Sequence, residues 1–206
     1  AEDTEEIDGQ IQALEEAERA ADEAWANRPL SEKFANSYVI GDSIAQGLYE
    51  QAVLDGAYVT AEQDTGVCRS EVSMIENHVS RAVEVGPQVL FLCYGLKDVE
   101  AASGNADIFA MAYKSVLDTL KEKLPETRIY VNSVLPVEQA VTDENELYGC
   151  IPEYNEKLKE LCAEVGVTFI DNSSLVKDEY YYEDGIHLTA EYYTEWADHM
   201  AEIAEL

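Results

Sequence analysis

The chain has 206 residues, enough for one medium domain with a substantial core, and 47% of them are hydrophobic, which excludes a disordered chain outside the termini. Its 43 acidic and 13 basic side chains leave a formal net charge of −30. Such a surface repels nucleic-acid phosphates and anionic membranes, favours solubility, and points to a neutral substrate or to a local exception in the field.

Residues 4–27 read as a helix that Pro29 stops, with Ile7, Ile11, Leu14, Ala17, Ala21, Ala24 and Trp25 along one stripe. Acids fill its other faces and Lys and Arg are scarce, so the pattern fits a structural arm laid against the domain, or a stalk, and not a membrane-surface helix. The opening "AEDTEE" has no initiator Met and no signal-like apolar stretch, and reads as a mature or trimmed start. That favours a secreted or surface-anchored origin over a cytoplasmic one.

From residue 36 the pattern alternates. Short apolar or β-branched runs predict strands at 37–41, 57–61, 88–94, 128–134 and 167–171. Helical spacing predicts helices at 44–54, 70–84, 106–123, 152–164 and 190–205, with Pro152 opening one of them and Gly166 closing it. The longest apolar run, "VLFLCY" at 89–94, is far too short to cross a bilayer, so no membrane insertion is expected. Strand–helix alternation with short connections implies one three-layer α/β domain over 36–206, its parallel sheet covered on both faces, with 1–35 as a helical arm.

Ligands in such sheets bind beyond the carboxyl ends of the strands. Ser43 follows the first strand in "YVIGDSIAQG" (38–47), either as a helix cap or as a nucleophile held at that edge. Gly66 follows the second strand, Gly95 to Asp98 the third and Asp171 the fifth. Asp184 and His187 stand three residues apart before the last helix, whose cap is Thr189. A serine hydroxyl needs a base to take its proton, and an imidazole needs a carboxylate to fix its tautomer. Ser43, His187 and Asp184 supply those three groups, with Asp171 as the other acid able to orient His187. His78 and His199 lie on helices without comparable neighbours. The four cysteines, at 68, 93, 150 and 162, lack zinc-site spacing; Cys93 reads as core, and Cys68 and Cys150, both in loops, leave a disulfide open.

"GDSIAQG" at 41–47 with "DGIHLT" at 184–189 resembles the SGNH hydrolases, or GDSL-type esterases, over roughly residues 36–206. The G-x-S-x-G elbow of the α/β-hydrolase fold is absent. The resemblance implies a flavodoxin-like SGNH fold with Ser43 as nucleophile, His187 as general base and Asp184 as its orienting acid. It also implies an oxyanion hole built from the amides of Ser43 and Gly66 and an asparagine side chain. Here "GLKD" at 95–98 departs from the family's G-x-N-D and puts Lys97 in the asparagine's place. The implied activity is a serine esterase acting on short acyl esters, acetyl-sugars among them, as a monomer without metal or organic cofactor. The alternative is a weakened SGNH-fold binding domain, with Lys97 as its support. Tyr94, Tyr148, Tyr154 and Tyr180 to Tyr182 are candidates to line a sugar site, against the commoner role of aromatic residues in packing.

Overall fold

Five short runs form the sheet: β1 (Ser37–Gly41), β2 (Val59–Ala61), β3 (Val89–Cys93), β4 (Arg128–Asn132) and β5 (Thr168–Ile170). They come from a computed structural model of the protein, which describes residues 2–68 and 72–206. All pairs are parallel, in the order β2-β1-β3-β4-β5. β1 and β3 are buried along their whole length, as a sheet covered on both faces requires.

The connecting helices are α1 (Glu2–Ala26), α2 (Leu30–Lys33), α3 (Ser43–Glu50), α4 (Val72–Val85), α5 (Asp98–Ala101), α6 (Ala106–Lys123), α7 (Gln139–Glu144), α8 (Ile151–Val165) and α9 (Ala190–Ile203). Side chains alternate across the sheet. Tyr38, Ile40, Leu90 and Leu92 pack with α4, α6 and α8, whereas Val39, Val89 and Phe91 pack with α3 and α9. Two cores on opposite faces of one sheet make the three-layer α/β architecture that the alternation predicts. The strand order turns back between β1 and β3, and the crevice of such a fold opens at their carboxyl ends.

Local chemistry moved several boundaries. The strand expected from 57 begins at Val59, because the Asp55 carboxylate accepts the Ala57 amide at 2.8 Å and winds Gly56–Tyr58 into a 3₁₀ turn. The helix expected to reach 54 stops at Glu50, and Ala52 takes a left-handed φ of 56°. The expected start of the next helix, at 70 and 71, lies outside the described residues; α4 runs from Val72.

Helix α1 forms, but its stripe meets nothing in the body. Ile7, Ile11, Leu14 and Trp25 are 53%, 49%, 65% and 59% exposed. Glu18 interrupts the stripe, and an acidic helix has little apolar surface to gain by lying on an acidic domain. Of the two readings of the arm, this exposure is the opposite of what an arm laid against the domain along its apolar stripe requires. All four cysteines are free thiols, so no disulfide joins Cys68 to Cys150.

Candidate active site

Ser43 sits where β1 turns into α3, and the cap is not the serine. Asp42 takes the N-cap position and accepts the Ile44 amide at 3.0 Å. Its own amide donates to the Cys93 carbonyl at 3.0 Å, which fixes the turn to the end of β3. With capping done by its neighbour, the Ser43 hydroxyl is left to another partner. That partner is His187, whose Nε2 lies 3.1 Å from Oγ.

His187 is presented by a short hairpin tip. Tyr181 and Leu188 form an antiparallel bridge, and the Tyr182 amide donates to the His187 carbonyl at 2.9 Å. The turn needs Gly185 at φ +67°, a region unfavourable for a side chain. A Cβ there would also press on Val141 and Glu138 at 2.9 Å. Asp184 receives the amides of Ile186 and His187 on Oδ1, both at 2.9 Å, while Oδ2 accepts Nδ1–H at 2.6 Å. Burial alone would raise the Asp184 pKa, but these hydrogen bonds outweigh it and hold the carboxylate below its usual range. Because Nδ1 carries the proton toward Asp184, Nε2 is left as an acceptor facing Ser43. The arrangement is a linear relay able to deprotonate a hydroxyl.

Asp171 plays no part in it: its carboxylate is bonded to the amide and hydroxyl of Ser173. His199 likewise takes no place in the relay. His78 is 1% exposed in the core, its Nδ1 2.8 Å from the Tyr94 hydroxyl. Tyr94, Tyr154 and Tyr180 are buried, so they are packing residues and not the sugar-site lining considered above. Tyr148 and Tyr181 are half-buried, and Tyr182 is 47% exposed.

The loops after β2 and β3 meet beside this relay's sheet edge. Gly66 is buried, and a Cβ there would approach Asp98 Oδ1 to 2.7 Å, so the loop packs against that carboxylate only as glycine. Lys97 stands at the start of α5, its Nζ 3.0 Å from Asp64 Oδ1.

Residues 39–194 match the GDSL-like lipase/acylhydrolase family. The chain belongs to that family. Carboxylic ester hydrolysis follows at the level of the family. No curated protein sequence matches the chain. Solved structures share the fold at low identity. A GDSL-like lipase from Bacteroides thetaiotaomicron VPI-5482 is 16% identical with a TM-score of 0.66, covering 91% of this chain and 96% of its own. A carbohydrate esterase family 3 protein from Talaromyces cellulolyticus is 14% identical (TM-score 0.58, 82% and 95% covered). A catalytic mutant of an acetylxylan esterase from Geobacillus stearothermophilus is 12% identical (TM-score 0.59, 81% and 92% covered).

The partners of three residues beside this site escape a linear reading. Asp98 is wholly buried and accepts the amides of Val67 and Cys68 at 3.2 and 2.6 Å. Gln46, one turn beyond Ser43, accepts the Gln63 amide at 2.9 Å. Asp64 pairs with Lys97. The signal available in sequence was position alone, since all of them fall just after predicted strands or on the helix that Ser43 begins.

Proposed function

We propose that this family member is a serine esterase of short acyl esters, with acetylated carbohydrates as the favoured class. The observation that carries the proposal is the continuous run from Asp184 through His187 to Ser43, at 2.6 and 3.1 Å. Ser43 Oγ attacks the ester carbonyl as its proton passes to His187 Nε2, and Asp184 stabilises the imidazolium. The amides of Ser43 and Gly66 hold the tetrahedral oxyanion. Collapse expels the alcohol, which takes the proton from His187. Water, deprotonated in turn by His187, then releases the acid from the acyl-enzyme.

Three features support the substrate class. The recess lined by Asp42, Ile44, Leu96 and Ile186, each next in the chain to Ser43, Lys97 or His187, offers about 10 Å³, room for no more than a single water. The wider groove of about 560 Å³ between α4 and α6 is lined by no residue of the relay. The net charge of −30 favours a neutral alcohol such as a sugar, and two structural neighbours carry carbohydrate-ester names.

A second reading, a weakened binding domain, draws on Lys97, whose ammonium is engaged by Asp64. Hydrolysis of p-nitrophenyl acetate and butyrate, with labelling of Ser43 by a phosphonate, separates the two. The esterase reading expects turnover and labelling in the wild type, acetate preferred, and loss of both in Ser43→Ala. An inert, unlabelled wild type favours the binding domain.

A further inference from the structure

The loop that carries Gly66 is tied down from both flanks. On the side of α3, Gln46 Oε1 accepts the Gln63 amide at 2.9 Å. On the side of β3, Asp98 accepts the amides of Val67 and Cys68, and Lys97 Nζ lies 3.0 Å from Asp64 Oδ1. Asp64 holds a left-handed φ of 68°, two residues before Gly66, in a region that aspartate tolerates without preferring. Lys97 is thus joined to the loop at a residue whose backbone is left-handed. The Lys97 side chain is 29% exposed and that of Asp64 54%, so the pair sits at the rim and not in the core.

Resting on the esterase reading, we propose that Lys97 is a positioning residue: through Asp64 it holds the Gly66 amide where the oxyanion develops, and it does not itself donate to the oxyanion. The Lys97 ammonium has three N–H donors, and the 3.0 Å contact with Asp64 commits one of them to the loop and sets where the group sits. The rigid turn after β3 gives Lys97 a fixed base from which to pull on the loop, because Asp98 next to it is buried and bonded to the same loop. The oxyanion hole is then made of two backbone donors, from Ser43 and Gly66. The side-chain donor expected at position 97 is converted into a tie between two loops. Rim ion pairs add little to stability. Misplacing a catalytic donor by a fraction of an ångström costs much more in rate than the pair is worth in folding.

The test compares Lys97→Met, Asp64→Asn, the double variant and the charge-exchanged Lys97→Asp/Asp64→Lys protein. The readouts are kcat and KM for p-nitrophenyl acetate, phosphonate labelling of Ser43, and amide hydrogen exchange over residues 63–68. Each single variant is expected to lose on the order of tenfold in kcat with KM little changed, below the roughly hundredfold that a full ångström of misplacement costs. The double variant should be no worse than either single one, the charge exchange should recover most of the loss, and Gly66 exchange should quicken in both single variants. A direct lysine donor would give a different pattern and overturn the proposal. Asp64→Asn would then keep or exceed wild-type kcat, Lys97→Met would lose about 10²–10³-fold, and the charge exchange would stay inactive. An inert, unlabelled wild type would overturn the esterase reading itself, and with it the catalytic role of Lys97. Exchange would still report the tie: unchanged Gly66 rates in both single variants would remove that as well.

Discussion

Asp42 shows how one residue serves the site at a cost to the fold. Its carboxyl is 2% exposed and caps α3, which frees Ser43 for His187. Burial pushes its pKa up to about 7, nearby Asp98 adds repulsion, and the amides of Ile44, Leu96 and Ala45 pull the other way. The folded value lies above the ordinary 3.8, so the folded chain holds this proton more tightly than the unfolded chain does. Its contribution to stability is therefore full below about 3.8 and is lost as pH rises through about 7. Urea unfolding of wild type and Asp42→Asn from pH 4 to pH 8 should show the difference moving in the variant's favour by about 2–4 kcal/mol, at about 1.4 kcal/mol per pKa unit. A difference that stays flat with pH would refute this. Buried His78 acts in the opposite sense: burial lowers its pKa, so its share of stability is present above the ordinary 6.5 and is lost as pH falls. At the same scale, Ser43, Asp184 and His187 were legible because each motif places its groups within a few residues. Gln46, Asp64 and Asp98 were not, because their partners come from loops far off in the chain.

Among the elements, α3 has the narrowest tolerance. It carries Ser43 at its start and packs against α9 through Gly47, where a Cβ would come within 2.0 Å of the Tyr193 ring. Two effects compete in Gly47→Ala. Helix propensity gains about 1 kcal/mol, while overpacking a filled core costs about 1–3 kcal/mol. Tyr193 is only 2% exposed and has little room to yield, so the clash wins. Net destabilisation of up to about 2 kcal/mol is expected from thermal unfolding, together with slower phosphonate labelling of Ser43 as α3 is displaced. Labelling and stability equal to wild type would show that α9 can move without consequence. The order of these helices and strands could be read from periodicity; some of their ends could not. Asp55 winding a 3₁₀ turn and Ala52 turning left-handed are local hydrogen-bond choices that a hydrophobic pattern does not encode.

For the whole molecule, the charge and helix α1 raise the same question of what the body needs. Helix α1 exposes its apolar stripe and is not part of either core. Removing residues 1–28 should leave the unfolding free energy within about 0.5 kcal/mol of the full chain, as for changes to exposed surface, and leave ester hydrolysis unchanged. Loss of activity or a markedly lower Tm would place the helix in the working domain. The sequence by itself determined the alternation that makes a parallel three-layer sheet, and the two motifs that put a serine at one end and an acid–histidine pair at the other. These are local properties, set by side-chain period and by spacing of a few residues. Only the tertiary structure decided that Gln46 from the β1 side, and Asp98 and Lys97 from the β3 side, hold the loop after β2 that carries Gly66. Each of those choices depends on which strand ends lie side by side at the carboxyl edge. That adjacency is fixed by the burial of both sheet faces and by the turn-back of strand order between β1 and β3, not by any neighbouring residue in the chain.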